Sequence, residues 1–86
     1  MSYRVLIDPR AARRLESFPK SVIERLDKAI LSLASMPRPP GTKRLQGKLH
    51  EGWRVRVGRY RILYKIDDDA QEVSIFDIGH RREVYR

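Results

Sequence analysis

The sequence predicts an α+β fold: an N-terminal strand, a helical hairpin, then a three-stranded antiparallel meander. Three observations carry this expectation. Residues 3–7 alternate at strand period. Apolar residues recur at helical spacing from Val22 to Leu33. The last third holds three alternating runs punctuated by two turn signals, Gly58-Arg59 and the Asp67-Asp68-Asp69-Ala70 stretch.

The elements follow in chain order. Tyr3, Val5 and Ile7 alternate with Arg4 and Leu6, which fits a short strand. Asp8-Pro9 reads as a helix start, with Asp8 as N-cap and Pro9 at the first helical position. Ala12, Leu15 and Phe18 mark the buried side of that helix. Pro19 breaks the pattern. Val22, Leu26, Ala29, Ile30 and Leu33 then define a second helix; Ser21 and Glu24 have capping-box spacing, and an earlier start near Pro19 is the alternative. Two helices joined by so tight a break form a helical hairpin. Residues 36–42 carry Pro37, Pro39, Pro40 and Gly41, an irregular connection with too little chain on either side to be a domain boundary. Residues 43–52 are mixed in pattern, and Leu45 and Leu49 are expected to pin them to the core. The meander comprises residues 53–57, 60–66 and 73–79.

Composition bounds the function. The 86 residues fit one domain spanning 1–86, with no internal repeat and no linker. Hydrophobic residues make up 41%, which argues against wholesale disorder. The absence of cysteine excludes a disulfide framework and a cysteine metal cage. No apolar run approaches the ~18 residues of a membrane span, and the first residues lack a signal-peptide layout. A reducing, cytoplasmic location and no membrane association are therefore expected. The 19 lysines and arginines outnumber 11 acids, giving a net charge of +8 that favours an anionic partner. Arginine predominates. Its guanidinium fork binds phosphate in bidentate fashion and stays protonated.

The arginines are not scattered. If Gly58-Arg59 is a two-residue loop, Val57 pairs with Tyr60, Arg56 with Arg61, Val55 with Ile62, Arg54 with Leu63 and Trp53 with Tyr64. Side chains alternate across a strand. One face then holds Trp53, Val55, Val57, Tyr60, Ile62 and Tyr64 and should meet the helices. The other holds Arg54, Arg56, Arg61, Leu63 and Lys65. Directly opposed like charges destabilise a sheet by some fraction of ~1 kcal/mol. Selection for stability alone would more often set a carboxylate or threonine opposite Arg56. The convergence points to an anion site; the bland alternative is a solvated face carrying arginine stems. The segment from Gly79 to Arg86 adds His80, Arg81, Arg82 and Tyr85, which the adjacent strand can deliver to the edge of the same face.

The run from Trp53 to Tyr64, WRVRVGRYRILY, followed by GHRREVY from Gly79 to Tyr85, closely resembles the RelE/ParE toxin superfamily, in its RelE branch. The order of elements matches as well, so the resemblance spans nearly the whole chain. It implies a RelE-like fold and the toxin of a type II toxin–antitoxin system: a ribosome-dependent mRNA endoribonuclease that blocks translation. It further implies an acidic, RelB-like cognate antitoxin, a toxin–antitoxin hetero-oligomer, and no cofactor or metal. By resemblance, Arg54 and Arg56 occupy strand positions where such toxins place basic residues, often lysines, around the scissile phosphate. Arg61 matches an arginine that contacts phosphate and stabilises the transition state. Arg81 matches one that protonates the leaving group or neutralises charge. Tyr85 matches a tyrosine that positions or activates the 2′-hydroxyl or stacks on a base. Lys43, Arg44, Lys48, Arg59 and Arg82, with Lys20, are expected to bind RNA or ribosome.

The implied chemistry is attack of the 2′-hydroxyl on the adjacent phosphorus with departure of the 5′-oxygen. Its general base is not evident from the residues, because arginine is a poor base. His80, and His50 with Glu51, are the weak candidates. Two other functions fit the same composition: a ParE-like gyrase poison without nuclease activity, and a non-catalytic RNA-binding domain.

Overall fold

The computed structural model describes residues 2–46 and 51–80. The elements run β1 (Arg4–Ile7), α1 (Pro9–Glu16), α2 (Lys20–Ser32), β2 (Lys43–Arg44), β3 (Trp53–Val57), β4 (Tyr60–Asp67) and β5 (Glu72–His80). The strands form one sheet in the order β1-β5-β4-β3-β2. The α+β class and the β3–β5 meander agree with the sequence reading, but the sheet is larger than the meander. β1 joins its edge parallel to β5, and a short β2 joins the other edge antiparallel to β3. Of the residues singled out above, Lys48, Leu49, His50, Arg81, Arg82 and Tyr85 lie outside the described residues.

The helices begin as their sequences dictate. Asp8 caps α1: its carboxylate accepts the Arg10 amide at 2.8 Å, and Pro9 fills the first turn. Arg13 and Arg14 sit in the last turn, where cations oppose the helix dipole. The buried stripe of α1 is Ala11 and Leu15, four apart, so Ala12 is only half-buried where the sequence reading made it core. α2 starts at Lys20 behind Pro19, whose carbonyl accepts the amides of Val22 and Ile23 at 2.9 and 3.0 Å. Ser21 is thus already helical and forms no capping box. Leu26, Ile30 and Leu33 are buried and point at the sheet.

The core lies between the helices and one sheet face. Leu15, Leu26, Ile30 and Leu33 meet Ile62, Tyr64, Val73, Ile75 and Ile78. Each large apolar side chain so buried contributes roughly 1.5–3 kcal/mol. Trp53, Val55, Val57 and Tyr60 pack against this core half-buried. An irregularity in β5 sets which residues enter it. Leu63 pairs with Asp77 but Tyr64 pairs with Ile75, so Phe76 is an extra residue, a β-bulge. Unbroken alternation from Val73 and Ile75 would drive Asp77 into the core. The bulge instead puts Ile78 there and leaves the Asp77 carboxylate to bind the Arg14 guanidinium of α1 at 2.9 Å.

The proline-rich connection is anchored at three points. The Tyr64 hydroxyl donates to the Pro37 carbonyl at 2.7 Å. The Arg38 guanidinium lies 5.0 Å from the Trp53 ring centroid and the Arg44 guanidinium 5.6 Å, both cation–π contacts. Arg38 also forks onto Asp68 at 2.9 and 3.3 Å, and Asp68 accepts the Tyr3 hydroxyl at 2.7 Å. Leu45 is half-buried but stands outside the core cluster, contrary to its expected role.

Two stability outcomes follow. A Cβ on Gly52, whose φ is +141°, would lie 2.5 Å from the Tyr64 backbone oxygen. Gly52→Ala should therefore cost on the order of 1–3 kcal/mol in chemical denaturation; an unchanged midpoint would contradict this packing. Asp68 has its carboxyl held below the ordinary range, first by the Arg38 hydrogen bond and then by that of Tyr3. Its contribution is therefore present above the unfolded-state carboxyl pKa and lost as pH falls through the depressed folded value. Asp68→Asn should lower the melting temperature at neutral pH, and its difference from wild type should close on acidification through that range.

Candidate functional site

The β3–β4 hairpin builds the site. Gly58 adopts φ +61° while Arg59 does not, as a glycine-first two-residue turn requires. That turn fixes the register: Val57 faces Tyr60, Arg56 faces Arg61, Val55 faces Ile62, Arg54 faces Leu63 and Trp53 faces Tyr64. Because Ile62 and Tyr64 are fully buried under the helices, their strand neighbours Arg61, Leu63 and Lys65 belong to the opposite face. Arg54 and Arg56 share it. Arg25 of α2 braces the turn from the other side: a Cβ on Gly58 would come 2.7 Å from its Nη2.

Four of the cations on or beside that face enclose one concavity. An open cleft of about 700 Å³ is lined by Lys43, Arg44, Leu45, Gln46, Arg54 and Arg61. Lys43 pairs directly with Arg54 across β2 and β3, so both side chains leave the sheet on the same side. Arg61 reaches the cleft from β4; it is half-buried and its Nε is closed to solvent. Leu63, beside Arg61 and opposite Arg54, is buried at 3%. Four basic side chains around one cleft, beside a buried leucine, suit it to an anion, because like charges gathered in a concavity focus the potential.

The remaining candidates separate. Arg56 stands opposite Arg61 but is exposed and is not part of the cleft lining. Arg59 is exposed in the turn, and Glu51 is exposed before β3. His80 pairs with Tyr60, and their rings meet edge to face at 5.8 Å. Tyr60 also packs on Phe18 at 4.9 Å, so His80 belongs to the helix side and is turned from the arginine face. Tyr64 is fully buried, and burial raises its phenol pKa, so it is a core anchor and not a proton carrier.

Lys43 gains the most from the structure. In sequence it is one of several basic residues expected to touch RNA. The β2–β3 pairing, which no local pattern announces, brings it into the same cleft as Arg54 and Arg61. A two-residue strand cannot show alternation; the available hint was the glycine at 52, whose carbonyl accepts the Leu45 amide at 2.9 Å and closes the pairing.

Comparison with known proteins agrees with this architecture. A family model described as "ParE toxin of type II toxin-antitoxin system, parDE" matches residues 5–85. Toxin RelG of Mycobacterium tuberculosis is 33% identical over 87 residues, covering 100% of this chain and 99% of the relative. Toxin RelE of the same organism is 33% identical over 85 residues, covering 98% and 87%. The RelE–RelB complex of the archaeon Pyrococcus horikoshii superposes with a TM-score of 0.83 at 26% identity, covering 96% of this chain and 99% of that one. With the hairpin, the cleft and matches along its whole length in agreement, the chain belongs to the RelE branch of the RelE/ParE superfamily of type II toxin–antitoxin toxins.

Proposed function

We propose that this toxin is a ribosome-dependent mRNA endoribonuclease that arrests translation in the cytoplasm. The observation that carries the reading is the cleft where Arg54, Arg61 and Lys43 converge. A sheet that sets Arg56 opposite Arg61 and gathers further cations beside them gives up stability that a binding or catalytic role would account for.

The chemistry assigns each group a task. The 2′-hydroxyl attacks the adjacent phosphorus, forming a cyclic phosphate, and the 5′-oxygen departs. Negative charge redistributes over the non-bridging oxygens in the transition state. Arg54 and Arg61, fixed by the hairpin, meet that charge without reorganising, which is the largest kind of term available to such a site. Arg56 at the rim holds the neighbouring phosphate. Arg81 adds charge neutralisation, and Tyr85 orients the 2′-hydroxyl or stacks on a base. Support for this reading is that Gly79 of β5 pairs with Arg61, so β5 lies beside the strand that carries that arginine. Lys20, Arg44, Lys48, Arg59 and Arg82 spread the attraction to ribosome and message, each contributing little. The ribosome positions the message and supplies the orientation that so small a sheet and two helices could not impose alone.

We further propose an acidic antitoxin as the partner that holds the toxin inactive. The net charge of +8 and the RelE–RelB assembly of the archaeal neighbour support this reading. Helix-in-groove docking with charge complementarity is the mode the physics favours. A second reading, a ParE-like gyrase poison acting without cleavage, draws its support from the description of the matching family model.

The readings part on experiment. Ribosomes carrying a defined message should yield a discrete cleavage on addition of the toxin, and purified gyrase should be unaffected; the converse pattern would establish the gyrase poison. Arg61→Ala and Arg81→Ala should each lower the single-turnover cleavage rate on the order of 10²-fold while ribosome affinity stays nearly constant. Wild-type rates in both would make the arginine face a docking surface. Co-expression with an acidic protein encoded beside the toxin should relieve growth arrest, and persistent arrest would remove the partner assignment.

A further inference from the structure

We propose that Phe76 is a stacking platform for an unpaired base of the message, one adjoining the phosphate that the cleft holds; the inference rests on the nuclease reading above. Among the described residues, Tyr64 is in the core, and Tyr3, Phe18, Trp53 and Tyr60 pack against it. Phe76 stands apart from that cluster, half-buried. The bulge accounts for its place. Phe76 is the extra residue between the pairs Leu63–Asp77 and Tyr64–Ile75, and a bulge re-aims a side chain at the expense of a regular ladder. Lys65 shows which way the ring points. It lies between the fully buried Tyr64 and the core-packed Ile66, so it belongs to the arginine face. Its ammonium sits 5.9 Å from the Phe76 ring centroid, which puts the ring on that face too.

The spacing suits a nucleotide. Phe76 flanks Leu63 across β4 and β5, and Leu63 pairs with Arg54 and follows Arg61 by one alternation. With about 3.4 Å per residue along a strand and about 4.8 Å between strands, the Phe76 backbone lies roughly 10 Å from those of Arg54 and Arg61. A nucleotide reaches that far from its phosphate to its base. Cations for the backbone with an aromatic ring beside them are the combination that holds single-stranded nucleic acid. A base suits the ring better than an apolar protein anchor does, since Ser74 and Lys65 beside it are polar and exposed.

Lys65 already lies over the ring, and magnitudes decide which group takes it. A cation over an exposed ring is worth roughly two- to fivefold in an equilibrium. A base stacked on one is worth roughly 5- to 100-fold. The base therefore displaces the ammonium. Lys65 is exposed on a flexible stem, so its charge turns to a phosphate oxygen of the same strand of message. Lysine and ring thus cover each other until the message arrives.

The test separates stacking from chemistry. The cleavage site is mapped with the wild-type toxin on programmed ribosomes. Messages are then made with 2-aminopurine on either side of that bond in turn, and with 2′-deoxyribose at the attacking nucleotide, which blocks cleavage and leaves binding to be read. Wild-type toxin should quench the fluorescence at one of the two positions. Phe76→Leu keeps the apolar bulk without a ring face and should lose that quenching, while Phe76→Tyr should keep it. On the cleavable message, Phe76→Leu should raise the half-saturating toxin concentration on the order of 10-fold with the saturated rate close to wild type, because stacking before and during reaction is uniform binding. Arg61→Ala should show the opposite split. Wild-type quenching and half-saturation in Phe76→Leu would overturn the assignment. Loss of quenching in both Phe76→Leu and Phe76→Tyr would do the same, as would quenching at neither position by ribosome-bound wild-type toxin. If Phe76→Leu loses affinity for the acidic partner alone, the ring belongs to that partner and the assignment also falls. A wild-type toxin that leaves the cleavable message intact would remove the nuclease reading itself, and this inference with it.

Discussion

The two-residue turn at Gly58-Arg59 is the constraint on which the site depends. Its length and its positive φ at Gly58 admit one register for β3 against β4. A slip of a single residue would send Ile62 and Tyr64 to solvent and the arginines into the core. Burying a guanidinium without a partner costs several kilocalories per mole, on the scale of about 3–5. The buried face therefore holds the charged face in place. The opposed Arg56 and Arg61 are kept together by the packing of Ile62, Tyr64 and their neighbours, and not by any affinity of their own.

Around that hairpin the structure divides its labour between two ends. The end near the turn gathers cations on the face away from the helices. The far end of β4 carries Asp67, Asp68 and Asp69, and there Asp68 joins Arg38 and Tyr3. This acidic end fastens the proline-rich connection, which in turn leads into β2 and hence to Lys43. Trp53 contributes from the middle, with one face of the problem in the core and the guanidiniums of Arg38 and Arg44 within cation–π range. The position of the cleft's edge strand is thus set in part by contacts outside the cleft, those of Arg38 with Asp68 and Trp53.

Much of this was legible because it is local. The Asp8-Pro9 cap, the Val22-to-Leu33 stripe and the Gly58-Arg59 turn each state their geometry within a few residues, and the arginine face follows from the turn by alternation alone. What could not be read depends on residues distant in sequence. Ala11 rather than Ala12 is buried because of how α1 lies on β5. The bulge at Phe76 has no glycine or proline to mark it, so the ion pair between Asp77 and Arg14 was hidden. β2 is two residues long, too short for a period, so the sequence showed Lys43 as one more surface cation. The site's arginines came from a pattern, and its lysine came from the tertiary fold.

The parallel pairing of β1 with β5 bears on how the molecule reaches its native state. Arg4 lies opposite Glu72, so the two ends of this ladder enclose both helices and the rest of the sheet. Closing so long a loop costs entropy that the four-residue strand cannot offset by itself. The β3–β4 hairpin, by contrast, needs only a two-residue closure. Formation of the cationic ridge can precede completion of the sheet, whereas β1 must wait until β5 exists to receive it. During vectorial synthesis the earliest strand made is thus the last to find its place.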